Sequence, residues 1–181
     1  MFSELITFQG DRYKVICKIP NQTVGDRKLK LEYDADIVLQ KSKAIKDNEW
    51  IFGFGWDNTK WADQKFPPSD ILNSLPISQP VMLTRIDGHS CWVNHKAIQL
   101  SGMDVSKKPP DGGDIINNCI LIDNAMKPIQ FIIPKPDENK VEKWIKLALD
   151  IIIPRGITNI HDAWQDTTTV KVLKEFSEKN K

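Results

Sequence analysis

Apolar positions along the chain change period several times, and each change marks an element. Tyr13, Val15, Cys17 and Ile19 alternate with Lys14, Ile16 and Lys18, a period of two that predicts a strand over 13–19, with Ile16 the one apolar exception on its second face. From Asp34 the spacing turns helical. Asp34 can cap, Ile37, Lys41, Ala44 and Ile45 share a side, and Asp47-Asn48 breaks the run. The aromatic and β-branched stretch 50–56 reads as a strand, its glycines marking a close approach to the backbone. Pro67-Pro68-Ser69 opens a short helix with Ser69 as cap and Ile71, Leu72 and Leu75 inward. A strand is predicted over 80–86 and a helix over 94–101, ended by Gly102. Residues 104–118, rich in Pro, Gly, Asn and Lys, read as a loop, with short strands at 120–122 and 129–133.

The last block has the cleanest pattern. Pro134-Lys135-Pro136 is a stiff connector, and Asp137 caps a helix whose stripe is Val141, Trp144, Ile145, Ala148, Leu149 and Ile152. Pro154 and Gly156 end it, Ile157 to Ile160 reads as a buried strand, and a helix from about Thr167 turns Val170, Leu173 and Phe176 inward. Helix, tight turn, strand, polar strand end, helix is the unit of a parallel α/β sheet or barrel, which carries functional groups at the carboxyl ends of its strands. His161-Asp162 occupies that place. The preceding strands and helices, in less regular order, suit a smaller α/β insertion.

Composition narrows the function classes. Lys and Arg number 25 against 24 Asp and Glu, and no basic block interleaves with aromatics, so nucleic acid has no electrostatic footprint. The lysines of 41–46 read as a solvated helix face. No apolar run reaches membrane-spanning length, because Pro154 stops Ile151-Ile152-Ile153, and no signal-peptide pattern opens the chain. Six Trp imply buried indoles or a lined cleft. Cys17, Cys91 and Cys119 are odd in number and form no CxxC, which predicts reduced, mostly buried thiols in a cytoplasmic protein.

Motifs then locate candidate chemistry. Gly53-Phe54-Gly55 lacks the third glycine of a dinucleotide-binding turn, since residue 58 is Asn. His89, His95 and His161 have no HxH or HxxxH spacing, so local geometry builds no zinc site and no metal ligand is assigned. No Gly-x-Ser-x-Gly elbow exists, and Ser90-Cys91 beside His89 is mere adjacency. Asp87-Gly88-His89 places two titratable groups at a turn, either as chemistry or as a hydrogen-bonded turn with a satisfied His. Asp123-Asn124 reads as a strand end running into a turn. On the residues alone the chain is an α/β protein with polar groups clustered at strand ends.

Four segments in order carry a resemblance: Gly55-Trp56-Asp57 with Trp61; Leu83-Thr84-Arg85-Ile86-Asp87-Gly88-His89 running on to Trp92-Val93-Asn94 and Ala97; Leu121-Ile122-Asp123-Asn124-Ala125-Met126; and Gly156-Ile157-Thr158-Asn159-Ile160-His161-Asp162-Ala163. Together they resemble the amidohydrolase-3 branch of the amidohydrolase superfamily, which includes the N-substituted formamide deformylases. The resemblance implies an α/β fold that is part of a (β/α)8 barrel with an α/β insertion subdomain. Residues 1–49 would be an early barrel region, 50–133 the lid-like insertion, and 134–181 a barrel helix–strand–helix unit. Complete relatives are expected to hydrolyse C–N amide or formamide bonds of small molecules with one or two divalent metals, usually zinc, which lower the pKa of a bound water.

The ligand set implied by the resemblance is a His-x-His, a Lys, two later His and a late Asp, and none is matched here. The chain is therefore expected to be an internal fragment, starting just after the His-x-His and stopping before the later ligands. It would have no catalytic residue of its own, hold no cofactor and be inactive alone. It also departs from the family where Ile115 to Ile120 replace a longer turn containing Gly and Pro-Thr-Gly. By the same resemblance Asp87 and His89 would bind substrate from the insertion, and His161 and Asp162 would face substrate or flank the metal site. Trp56, Asp57 and Trp61 would wall the cleft, or form a Trp-rich core. Two other classes stay open: a non-catalytic ligand-binding or regulatory module, and one part of a split enzyme completed by self-association or a complementing chain.

Overall fold

A computed structural model describes residues 27–61, 63–162 and 165–179, with side chains from residue 35 onward. The strand expected over 13–19, Cys17 and Ala163 lie outside the described residues. The chain divides into two compact units at the Ile133–Pro134 junction.

The larger unit is built on a five-stranded sheet in the order β1-β2-β3-β5-β4. Its strands are β1 (Ile51–Trp56), β2 (Val81–Arg85), β3 (Ser90–Val93), β4 (Gly113–Ile116) and β5 (Ile120–Asp123). β1 and β2 are parallel, joined through the short helix α2 (Asp70–Asn73), and every other pair is antiparallel. Side chains alternate between two covered faces, as a pleated strand requires. Ile51, Val81, Leu83, Trp92 and Ile120 pack with Val38 of α1 (Arg27–Ser42), Leu72 of α2 and Trp61. Met82, Cys91, Val93 and Leu121 pack on the other side with Ala97 of α3 (His95–Ser101) and Ile129 of α4 (Lys127–Ile132).

One bulge alters that alternation. The register steps from Phe54↔Thr84 to Trp56↔Arg85, leaving Gly55 as the extra residue at φ +105, a conformation open to glycine. Without the extra residue Trp56 would share the side of Phe52; with it, Trp56 joins Ile51 in the first cluster.

Caps set the helices. Asn94 accepts from the Ala97 N–H and Gly102 ends α3 at φ +66, as the sequence predicts. Ser69 holds the cap position of α2 but makes no side-chain cap bond. The helix expected from Asp34 begins instead at Arg27 and ends at Ser42, so Asp34 lies within it, and Ala35 and Val38 are buried among its described side chains. Lys, Leu, Glu and Arg in 27–32 are good helix formers, and they extend it toward the N-terminus.

Residues 104–118 are not all loop: β4 ends in a hairpin through Asn117 and Asn118, both at φ above +50, with the Cys119 N–H on Ile116 O at 3.2 Å. This is a two-residue turn with positive φ at both centres, which Asn tolerates. Residues 129–133 are not a strand. Ala125, Met126 and Ile129 are buried at helical spacing, and an apolar run this short is ambiguous by period alone.

The smaller unit holds α5 (Glu138–Ile152), capped by Asp137 on the Lys140 N–H at 2.8 Å, and α6 (Thr167–Lys179). Gly156 follows at φ +73. The strand expected at 157–160 is absent. A strand needs a neighbour, the described part of this unit contains none, and Ile157 and Ile160 are exposed. In α6 the buried residue is Val172, while Val170 and Leu173 face out. Among the described residues no helix is long and apolar enough to cross a membrane.

Candidate functional site

Strand directions bring three of the four motif segments to one end of the sheet. β1 and β2 run parallel, so Asp57 after β1 and Asp87 after β2 emerge together. β3 runs back from that end, which puts His89 there, and β5 returns to it, delivering Asp123. Gly112 and Gly113 enter β4 at the same end.

Arg85 organises the cluster. Its Nε donates to Asn58 Oδ1 at 3.0 Å, its Nη1 to Asp87 Oδ2, and its Nη2 lies 3.5 Å from Asp57 Oδ1. The guanidinium sits 6.0 Å from the Trp56 ring centre. Asp57 also accepts from the Thr59 N–H and hydroxyl, at 3.0 and 2.7 Å. Asn58 is buried and passes the network on to Gln64 O at 2.7 Å. Asp87 Oδ1 takes the His89 N–H at 3.0 Å, across a turn in which Gly88 adopts φ +77.

His89 and Asp123 are tied twice: Nδ1 lies 2.8 Å from Asp123 Oδ1, and the Asp123 N–H donates to His89 O at 2.9 Å. Asp123 holds φ +47 and ψ −115, a sparsely populated backbone state that the double tie maintains. The hydrogen bond that Asp123 accepts, then its charge, then the charge of Asp87 raise the His89 pKa above its ordinary 6.5. Asn124 braces the rim by donating to Asp111 O at 2.7 Å, over two glycines. A Cβ on Gly112 would meet Asn124 Nδ2 at 2.7 Å, and one on Gly113 would meet the Ala125 nitrogen at 2.5 Å.

The structure thus brings Asp57, Asp87 and His89 together and adds Arg85 and Asp123, which the sequence reading named in motifs but gave no role. Strand alternation could have flagged Arg85, which shares its face with Leu83. Trp56 and Trp61 are core residues, stacked at 6.2 Å, with the Trp56 indole N–H on Leu83 O at 2.8 Å. Trp56 therefore supports Arg85 from beneath. His161 and Asp162 belong to the smaller unit and are exposed, Asp162 meeting the Gln165 amide.

The donor set does not fit a divalent metal. His95 follows β3 at the opposite end of the sheet from His89, and among the described residues no group of three or more His, Cys, Asp or Glu could hold an ion. Burial pushes the Cys91 and Cys119 thiols up to about 12, so neither is a nucleophile near neutrality. They sit on opposite faces of the sheet and cannot pair.

The amidohydrolase family model Amidohydro_3 matches residues 28–181, and the chain belongs to that family. It is 27% identical over 151 residues to YtcJ of Bacillus subtilis (strain 168), an amidohydrolase by assignment, covering 76% of this chain and 28% of YtcJ. It is 25% identical over 152 residues to the protein LONG AFTER FAR-RED 3 of Arabidopsis thaliana, covering 74% and 26%. Crystal structures of uncharacterized metal-dependent hydrolases share the fold. That from Pyrococcus furiosus has TM-score 0.54 at 23% identity, covering 83% of this chain and 30% of that one. That from Pyrococcus horikoshii OT3 has TM-score 0.53 at 20% identity, covering 81% and 29%. The chain spans less than a third of the length of these relatives.

Proposed function

We propose that this chain supplies a substrate-facing surface to a metal-dependent amidohydrolase that cleaves C–N amide or formamide bonds, as in the formamide deformylase-like branch. On this reading residues 50–133 are an α/β insertion subdomain, and 1–49 and 134–181 are parts of a (β/α)8 barrel. The metal and the water it activates are held by residues outside this chain, which is inactive alone. The observation that carries the reading is the convergence of Asp57, Arg85, Asp87, His89 and Asp123 at one end of the sheet. Five polar side chains from three separated segments meet there, and a purely structural sheet end needs no such set.

A rival surface sits at the other end of the sheet. It is an open groove of about 650 Å³ lined by Lys65, Phe66, Pro68, Ser69, Ile116, Asn117 and Asn118. Its one ionisable side chain is Lys65, so it offers little to orient an amide. Proton–nitrogen correlation spectra with a panel of N-alkyl formamides and acetamides separate the two. The largest shifts are expected at Arg85, Gly88, His89 and Asn124. Shifts centred on 65–69 and 116–118 would overturn the proposal.

A further inference from the structure

The groups at the charged end of the sheet differ in how much of their chemistry is already used. Arg85 is committed to Asn58, Asp57 and Asp87, so a ligand anion could claim it only by breaking those bonds. Both oxygens of Asp87 are engaged, one by Arg85 and one by the His89 N–H. Whereas the unused oxygens of Asp57 and Asp123 are acceptors, His89 keeps a donor position open. Its side chain is 75% exposed, its Nδ1 is held by Asp123, and among the described residues Nε2 has no hydrogen-bond partner.

Charge then selects the ligand. The carboxylates of Asp57, Asp87 and Asp123 outnumber the two possible cations, Arg85 and His89, so this end stays negative whichever form His89 takes. Asp123 and Asp87 keep the imidazolium to higher pH than a free histidine, and in that form Nε2–H is a donor. Its partner must bring an acceptor oxygen without bringing a negative charge.

We propose that His89, oriented by Asp123, binds the carbonyl oxygen of a neutral amide and disfavours ligands that carry a carboxylate. This rests on the reading that the charged end of the sheet faces substrate, and it narrows that reading to neutral amides. Asp123 is the positioning residue.

The test titrates the assigned His89 ring resonances with two ligands sharing one amide, N-butylacetamide and N-acetyl-4-aminobutyrate. The neutral ligand is expected to bind about fivefold more tightly, the worth of one like-charge approach at about 4 Å in water. Equal or tighter binding of the carboxylate would overturn the inference. Asp123→Asn keeps the side-chain size, and Asn tolerates positive φ. It should lower the His89 pKa toward 6.5 and abolish the amide-induced ring shift, with the buried Trp56 indole resonance unmoved as proof of fold. An unchanged pKa and an unchanged amide response in that variant would remove Asp123 from the role. If the amide moves Arg85 and Asn124 but not the His89 ring, this inference fails and the substrate-facing surface stands. If no resonance at this end moves, the surface itself is wrong.

Discussion

Trp92→Ala is expected to bring the larger unit to the edge of unfolding. Trp92 lies in β3, the central strand, paired across with Leu83 on one side and Ile120 on the other. Its side chain is fully buried with Ile51, Val81, Leu72 and Val38 around the same cluster. Truncating a buried Trp to Ala costs about 3–5 kcal/mol, because the lost transfer energy is joined by a cavity that a pleated sheet closes poorly. A typical domain has about 5–15 kcal/mol in total. Urea unfolding followed by far-ultraviolet circular dichroism should therefore show a midpoint far below that of the parent. A loss under about 1 kcal/mol would mean that the core is not centred on this strand.

The second large effect is expected in the smaller unit, where amide hydrogen exchange should be much faster than in the sheet. In α5 and α6 the buried apolar residues are Val141, Ile152 and Val172. Leu147, Ile153, Ile157, Ile160, Val170 and Leu173 are all substantially exposed. Each such side chain left in water forfeits roughly 1.5–3 kcal/mol of burial. Two helices of 15 and 13 residues are marginal without packing to hold them. Exchange from 157–160 should approach that of an unstructured peptide, while 81–85 and 90–93 exchange only on global unfolding. Equal protection of 157–160 and 81–85 in a dilute monomeric sample would contradict this picture. It would point to a self-sufficient unit.

Much of the sheet was legible in the sequence because its signals are local. The aromatic run at 50–56, the β2 strand leading into Asp87-Gly88-His89, the Asn94 cap with Gly102 and the Asp137 cap each act within a few residues; β3, only four residues long, was not predicted. Failures came where a partner decides the outcome. The apolar 157–160 run has strand composition, yet no strand among the described residues of its unit pairs with it. Residues 129–133 have the same composition and became helical, since Ala125, Met126 and Ile129 meet the second face of the sheet. The β4 strand was hidden because the Asn117-Asn118 turn, read as loop, is what folds it back on β5. In α6 a shift of phase exchanged Val172 for Val170 and Leu173.

The site divides in the same way. Asp57, Asp87 and His89 could be picked as turn residues at strand ends, and the sheet brings them together. Arg85 and Asp123 were passed over because their roles depend on strand order: β5 lies beside β3, so Asp123 reaches a histidine 34 positions away. The indoles of Trp56 and Trp61 carry no label in sequence that separates a cleft wall from a core. The bulge at Gly55 decides it, by turning Trp56 inward under Arg85.

On the proposed reading, this amidohydrolase-family chain faces a ligand while the metal is held by residues elsewhere. The direct measurement is zinc content of the purified, dialysed chain at neutral pH. His89, His95 and His161 are the chain's three histidines, and a structural or catalytic zinc takes three or four protein ligands that converge. Zinc far below one equivalent per chain is expected. About one tightly bound zinc, released when His89 is replaced by Gln, would place a metal centre in this chain.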